Sequence, residues 1–392
     1  MNSKTIFINT LVGKQSERIP CAPHWWGIYK YEVTGRDYKR DAWVDGAELS
    51  KVYIDFYQRF KPDWFHLHIG TPLYFRGSEI AEKEGKFFLR IAPEYRGLKK
   101  DDRYFSVHSM DDEEIVDFPD YILGSRAKRP RVDPGSRGKI NEFVKKYVHM
   151  SAEEIIGLGY TDHIPPVVKR YGEEVFIAVH IPSAICEIFD PTTGYLGFED
   201  GLLALEDYPG GMRYLFERCY EEQLEWAKAY AKAGAHAYII SESFISPDIT
   251  GPGVYQNFLK DIHRDYFKEV ETMGLIPICN FWGDVNPIIE DLKEINIKAL
   301  MIEESKKSFK LDMAEIYPRL KGNICLFGNI DSITLLHDGT PEQIRQEVLR
   351  QANGVDDWFI TANGSPITPG TPEVNIEAMI YTAKEELVLP IR

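Results

Sequence analysis

The chain has 392 residues, 44% hydrophobic and 27% charged, with a formal net charge of −15 and a pI near 5.2. That length suits one large barrel with an insertion better than one small core, and so acidic a chain is a poor general binder of nucleic acid, whose phosphates need a cationic field. Five widely spaced cysteines without a CxxC pair argue against a disulfide framework, the first fifteen residues lack a signal peptide's apolar core, and no apolar run has the length of a membrane span, so the expected setting is reducing and cytoplasmic.

Residues 1–18 read as a leading helix or arm. Residues 19–26 (IPCAPHWW) form a candidate first strand, whose two prolines suit a strand start or an edge. Helical spacing over 46–60 stops at Lys61-Pro62, and 63–70 (DWFHLHIG) follows as a second strand. The region 71–172 reads as an insertion, a lid or partner surface, with a hairpin around 82–92, an acidic stretch at 111–114 and a basic, solvated stretch at 126–139. From Glu174 strands and helices alternate. The strands are 175–182, 235–242, 276–282, 297–304, 323–331 and 357–364. The helices are 212–233, 255–273, 286–294, 311–320 and 341–352, with a last one opening after Thr371-Pro372-Glu373.

Eight strands, nearly all followed by helices, predict an α/β fold closed as a (β/α)8 TIM barrel over residues 1–392, with a doubly wound sheet as the alternative. No G-x-G-x-x-G or P-loop follows a strand, so no nucleotide site is in view. The C-terminal strand ends of a barrel meet at one mouth. His66 and His68 alternate on one strand and share a face, fit for a metal, a substrate bond or an ordinary core hydrogen bond. Glu242 and Glu303 end apolar runs, where burying a carboxylate is costly. Cys279 reads as a site thiol or as a small hydrophobe. Trp25, Trp26 and Tyr29 suit packing or stacking on a flat apolar substrate. His180, Asn280, Trp282, Glu304, Asn329, Asp331 and Asn363 complete a polar, acidic and aromatic ring. No Ser-His-Asp constellation stands out.

Several stretches carry a family resemblance: RIPCAPHW, YEVTGRDYKRDAW, KAGAHAYIISESFISPDITGPGVYQNFLKDIHRDYF, LFGNIDSITLLHDGTPEQIRQEV and ANGSPITPGTPEVNIEAM. Together they resemble the uroporphyrinogen decarboxylase superfamily over most of the chain outside the insertion, which implies a (β/α)8 barrel. The decarboxylase's arginine-rich R-Q-A-G-R-Y is replaced here by CAPHWWGIYKYE, and its Gly-His-Gly by Gly364-Ser365-Pro366. Porphyrinogen decarboxylation is therefore not expected. The coenzyme M methyltransferase branch implies zinc on a His-x-Cys and a later cysteine. These fall on Pro277-Ile278-Cys279 and near Ser365, so only one ligand matches.

The resemblance to the corrinoid-dependent branch implies a methyltransferase of the O-demethylase type, passing a methyl group from an aromatic methyl ether to the cobalt of a separate corrinoid protein. Ether cleavage needs a proton or a Lewis acid at the leaving oxygen. Glu242, Glu303 and His180 are the catalytic candidates. Trp25, Trp26, Tyr29, His66, His68, Asn280, Trp282, Asn329 and Asn363 are the substrate-binding candidates. Zinc, if used, would fall to Cys279, Glu242 and Glu303. The alternatives are another methyl donor or acceptor (a methylamine, a thiol or coenzyme M) and decarboxylation of a small acid. The expected partners are a corrinoid protein and a small substrate, with no nucleic acid and no membrane.

Overall fold

Short runs of β-branched and aromatic residues form the strands of this computed structural model, which describes residues 1–25, 27–44, 46–83, 86–95, 107–110, 113–117, 130–191 and 194–387. Trp26, and residues 111, 112 and 126–129 of the acidic and basic stretches, lie outside them. The strands are β1 (Trp64–His68), β2 (Glu79–Lys83), β3 (Lys86–Arg90), β4 (Val107–Met110), β5 (Glu113–Asp117), β6 (Phe176–Pro182), β7 (Ala237–Glu242), β8 (Ile276–Phe281), β9 (Ala299–Ile302), β10 (Cys325–Phe327) and β11 (Phe359–Ile360). One parallel sheet runs in the order β1-β6-β7-β8-β9-β10-β11, and β2 to β5 form a separate antiparallel sheet.

The predicted first strand closes the parallel sheet. Cys21 bridges Thr361 and Trp25 bridges Ile367, both in parallel sense. On its other side the Cys21 carbonyl accepts from the Asp63 amide at 2.9 Å. Pro20 and Pro23 have no N–H to give, so this edge is reduced to isolated bridges. Eight segments therefore complete a (β/α)8 barrel, as expected. Asp63 fastens the seam: its buried carboxylate accepts from the Cys21 amide at 2.8 Å, from Ser3 Oγ at 2.6 Å and from both Arg18 terminal nitrogens at 2.5 and 2.7 Å.

Successive strand residues face opposite ways. Trp64, Phe176, Ala178, Ala237, Ile239 and Ile278 fill the barrel interior, whereas Leu67, Val179, Tyr238, Ile240 and Cys279 join the layer between strands and helices. The helix Ser3–Leu11 stops the floor, where Phe7 stacks on Phe176 at 4.3 Å and on Trp64 at 5.9 Å. Within the insertion, β2 and β3 form the hairpin with Ile80 opposite Leu89. Helices Arg137–Tyr147, Ala152–Gly157 and Ile164–Tyr171, for which the sequence suggested no element, pack Ile140, Phe143, Ile155 and Val167 onto the outer layer of the barrel. Ser136 and Ser151 cap the first two.

Candidate functional site

Four histidines meet at the mouth. His66 and His68 come from β1 and His180 from β6, whose register sets His68 beside His180. His24 comes from the closing segment. The His66 ring lies 4.6 Å from His68, 5.0 Å from His180 and 5.2 Å from His24, centroid to centroid. His66 Nε2 is 2.7 Å from His180 Nδ1. His180 Nε2 is 2.5 Å from Ser241 Oγ, which also accepts from Asn280 Nδ2 at 3.0 Å and from Trp282 Nε1 at 3.4 Å.

His24 is held from the backbone. Asn363 Oδ1 accepts its amide at 2.8 Å and Asn363 Nδ2 donates to its carbonyl at 2.8 Å. His24 Nδ1 lies 3.0 Å from the Gly364 carbonyl. A carbonyl can only accept, so Nδ1 carries the ring proton and Nε2 keeps its lone pair. His24 Nε2 and His66 Nδ1 are buried and have no hydrogen-bond partner among the described residues. A side chain at position 364 is excluded, because a Cβ would lie 2.3 Å from the Glu304 amide nitrogen.

Burial dominates the electrostatics. It lowers His24 to about 4, against the weaker upward pull of the Gly364 carbonyl and Glu304. Burial, then the neighbouring imidazoles, hold His66 well below 6.5, and burial, then Lys30 and the imidazoles, do the same for His68. His180 is lowered by burial and then by His24. Burial thus favours the neutral form of all four rings, which leaves the pocket rich in nitrogen lone pairs. Trp282, whose ring lies 6.1 Å from that of His24, also walls a cleft of about 360 Å³ together with Glu303, Phe244, Lys306 and Phe309.

The expected site residues divide. His66, His68, His180, Asn280 and Trp282 come together. Asn363 positions His24 rather than facing the cleft, and Asn329 Nδ2 ties the Glu303 and Leu311 carbonyls at 3.0 and 2.9 Å. Trp25 and Tyr29 are buried core residues, Trp25 packing on Phe56 at 4.3 Å and Tyr29 meeting it edge-on at 6.3 Å. Glu303 reaches the mouth, where its Oε2 accepts from the Gly283 amide at 3.0 Å and its Oε1 pairs with Lys306 at 3.1 Å.

Glu242 is corrected. It follows Tyr238 and Ile240 outward and accepts from Tyr220 Oη at 2.5 Å and Ser183 Oγ at 2.9 Å, with His263 Nε2 at 3.2 Å. Cys279 also faces outward, and burial pushes its thiol well above the usual range. Glu242, Cys279 and Glu303 therefore form no ligand set. The zinc set implied by the coenzyme M branch does not fit either, since Cys279 turns away from the mouth and Ser365 stands near where the later cysteine would be. The sequence reading passed over His24, although it lies in the predicted first strand, and Ser241. It also passed over Lys30, a buried amine that burial lowers to about 7.

Comparison with known proteins agrees with this fold. Residues 192–386 match the model of the uroporphyrinogen decarboxylase (URO-D) family. The chain is 31% identical over 176 residues to a methylcobamide:CoM methyltransferase of Methanosarcina barkeri, covering 44% of this chain and 49% of that protein. It is 26% identical over 163 residues to a methylated-thiol–coenzyme M methyltransferase of Methanosarcina mazei, covering 41% of each. The chain thus spans about half the length of the curated relatives it matches. A solved methyltransferase from Methanosarcina mazei superposes over 98% of this chain and 99% of its own, with a TM-score of 0.70 at 16% identity. That likeness concerns the fold. No helix among the described residues is long and apolar enough to cross a membrane.

Proposed function

We propose that this chain, which belongs to the uroporphyrinogen decarboxylase superfamily through residues 192–386, is a corrinoid-dependent methyltransferase that passes a methyl group from a methylated corrinoid protein to a small thiol. The names of its relatives support the class of reaction. The observation that carries the choice of thiol is the buried imidazole cluster, in which one nitrogen from each of His24, His66 and His180 lies within 4.8 Å of the others. A thiol is a weak nucleophile until it loses its proton. His24 Nε2, whose lone pair is not used by a hydrogen bond among the described residues, is placed to accept that proton, although the burial that lowers its pKa to about 4 weakens it as a base. The sulfur then forms its bond to the methyl carbon, and the electron pair of the cobalt–carbon bond stays with the corrinoid.

Cleavage of an aromatic methyl ether makes the opposite demand, a proton delivered to a departing oxygen. Imidazoles held neutral by burial are poor proton donors at pH 7. Glu242 faces away from the mouth, and Glu303 is paired with Lys306. The aromatic ether therefore has less support than the thiol.

The test mixes purified protein with methylcobalamin and a panel of thiols and phenols, following loss of the methylcobalamin spectrum and formation of the methylated product by mass spectrometry. Thioether formation is the expected result. No transfer to any thiol, or transfer to phenols alone, overturns the reading.

A further inference from the structure

The inward nitrogens have an unsolved satisfaction problem. A single proton can bridge His66 Nε2 and His180 Nδ1, 2.7 Å apart. It leaves His24 Nε2 and His66 Nδ1 buried and, among the described residues, without partners, an arrangement that burial makes costly. One ligand nitrogen from each of His24, His66 and His180 lies within 4.8 Å of the others. The outer ring nitrogens are already oriented: Gly364 O holds His24 Nδ1 and Ser241 Oγ holds His180 Nε2. Outer hydrogen bonds of this kind fix the tautomer and rotation of metal-ligating histidines.

We propose that His24, His66 and His180 bind one divalent transition-metal ion, of the zinc class, with its remaining position toward the Trp282–Glu303 cleft. The geometry accommodates it. Zinc–nitrogen bonds of about 2.0–2.1 Å in a tetrahedron set ligand nitrogens roughly 3.3 Å apart, longer than the 2.7 Å between His66 Nε2 and His180 Nδ1 and inside the 4.8 Å that bounds the three. The donors are three neutral imidazoles with no carboxylate or thiolate among them, a set that suits zinc, cobalt(II), nickel(II) or copper(II) and not the hard ions magnesium or calcium. One cation would take the lone pairs of His24 Nε2, His66 Nε2 and His180 Nδ1 together, and so give the unpartnered His24 Nε2 a partner. The site differs from the cysteine-containing set implied by the coenzyme M branch, since its ligands come from the first three barrel segments.

The proposal deepens the thiol reading and rests on it only for its use. A divalent ion there would lower the pKa of a thiol entering the open position, and the histidines would then serve as ligands rather than as the base. Binding itself is tested without any turnover. Tag-free, chelator-free full-length protein is incubated with zinc or cobalt(II), freed of excess ion and analysed by elemental analysis, cobalt absorption and X-ray absorption spectroscopy. The expected result is about one ion per chain, tetrahedral cobalt bands and a nitrogen/oxygen shell at about 2.0–2.1 Å without sulfur. His24→Gln and His180→Gln, checked for folding by circular dichroism, should lose most of the ion, whereas Cys279→Ser and His68→Gln retain it. Folded wild-type protein that binds no ion, an ion with a sulfur shell, or an ion retained in both triad variants overturns the site. Because the wild-type spectra need no variant, misfolding of a substituted chain does not blunt the test. Bound metal with no thioether formed would keep the site and remove the thiol reading; thioether formed by protein shown to bind no ion would keep the thiol reading and remove the site.

Discussion

Lys30 shows how far a single buried charge can be read. The residue is 2% exposed, and its amine donates to the Gly27 carbonyl at 3.2 Å and lies 5.2 Å from the centre of the Tyr53 ring. Burial lowers its pKa from 10.5 to about 7. In the interval between these values the unfolded chain binds the extra proton, so the folded state gains stability as pH rises from about 7 to 10.5. Below about pH 7 both states are protonated, and the burial penalty is felt in full. Lys30→Met removes that penalty. The variant is expected to melt above the parent at or below about pH 7, with the gain shrinking steadily as pH rises toward 10.5. Thermal melts of both proteins across that range check it, and a gap independent of pH would show that the amine is not held neutral by burial. The same balance governs the histidine cluster: its rings stay neutral because charge is expensive there, which makes their lone pairs available.

The closing segment shows what an element owes to one ion pair. Burial raises the Asp63 carboxyl, but the Arg18 hydrogen bonds and charge outweigh it and hold the carboxyl below 3.8. The stabilisation is therefore present above pH 3.8 and is lost as pH falls through the lower folded value. Asp63→Ala strands a partly buried guanidinium and frees the Cys21 amide. The expected cost is about 3–5 kcal/mol, read as a lower denaturant midpoint at neutral pH that converges on the parent in acid. An unchanged midpoint would mean that the seam is held by its bridges alone. This element also marks the limit of what the sequence disclosed. Eight strands could be counted because each is a short apolar run with a polar end, and the helices because their caps and periodicity survive. The face of each strand could not be read. Barrel strands are buried on both sides, so alternation of apolar and polar residues is erased. The apolar runs alone therefore place Cys279 and Glu242 at the mouth, whereas one residue of parity turns both outward. His66, His68 and His180 were legible because a histidine inside an apolar run is conspicuous, while His24 was eclipsed by the tryptophans that follow it.

Across the whole molecule, floor and mouth divide the labour expected of a barrel, in which the N-terminal face carries stability and the C-terminal face chemistry. A column of rings connects them. Phe7 stacks on Trp64 at 5.9 Å, Trp64 on His66 at 4.7 Å and His66 on His180 at 5.0 Å. Phe7 is fully buried and touches Phe176 and Phe327 as well, so it closes the interior from below. Phe7→Ala leaves a cavity there, and a loss of about 3–5 kcal/mol is expected. The two ends of the column then give different readouts. If Trp64 fixes the height of His66, the cavity relaxes by local movement of Ser3–Leu11 alone. The folded variant then keeps its rate of methyl transfer within about threefold, a change of under 1 kcal/mol in barrier, while its denaturant midpoint falls sharply. If Phe7 instead sets the position of the column, Trp64 sinks, the imidazoles separate and activity falls with stability. Paired measurement of unfolding free energy and thiol methylation on the same preparation decides between these outcomes. Proportionate loss of both would refute the division between floor and mouth. A stable floor beneath an independently built mouth allows the strand ends to vary: this chain has histidines, serine and asparagine at positions that could carry other ligands without loss of the barrel.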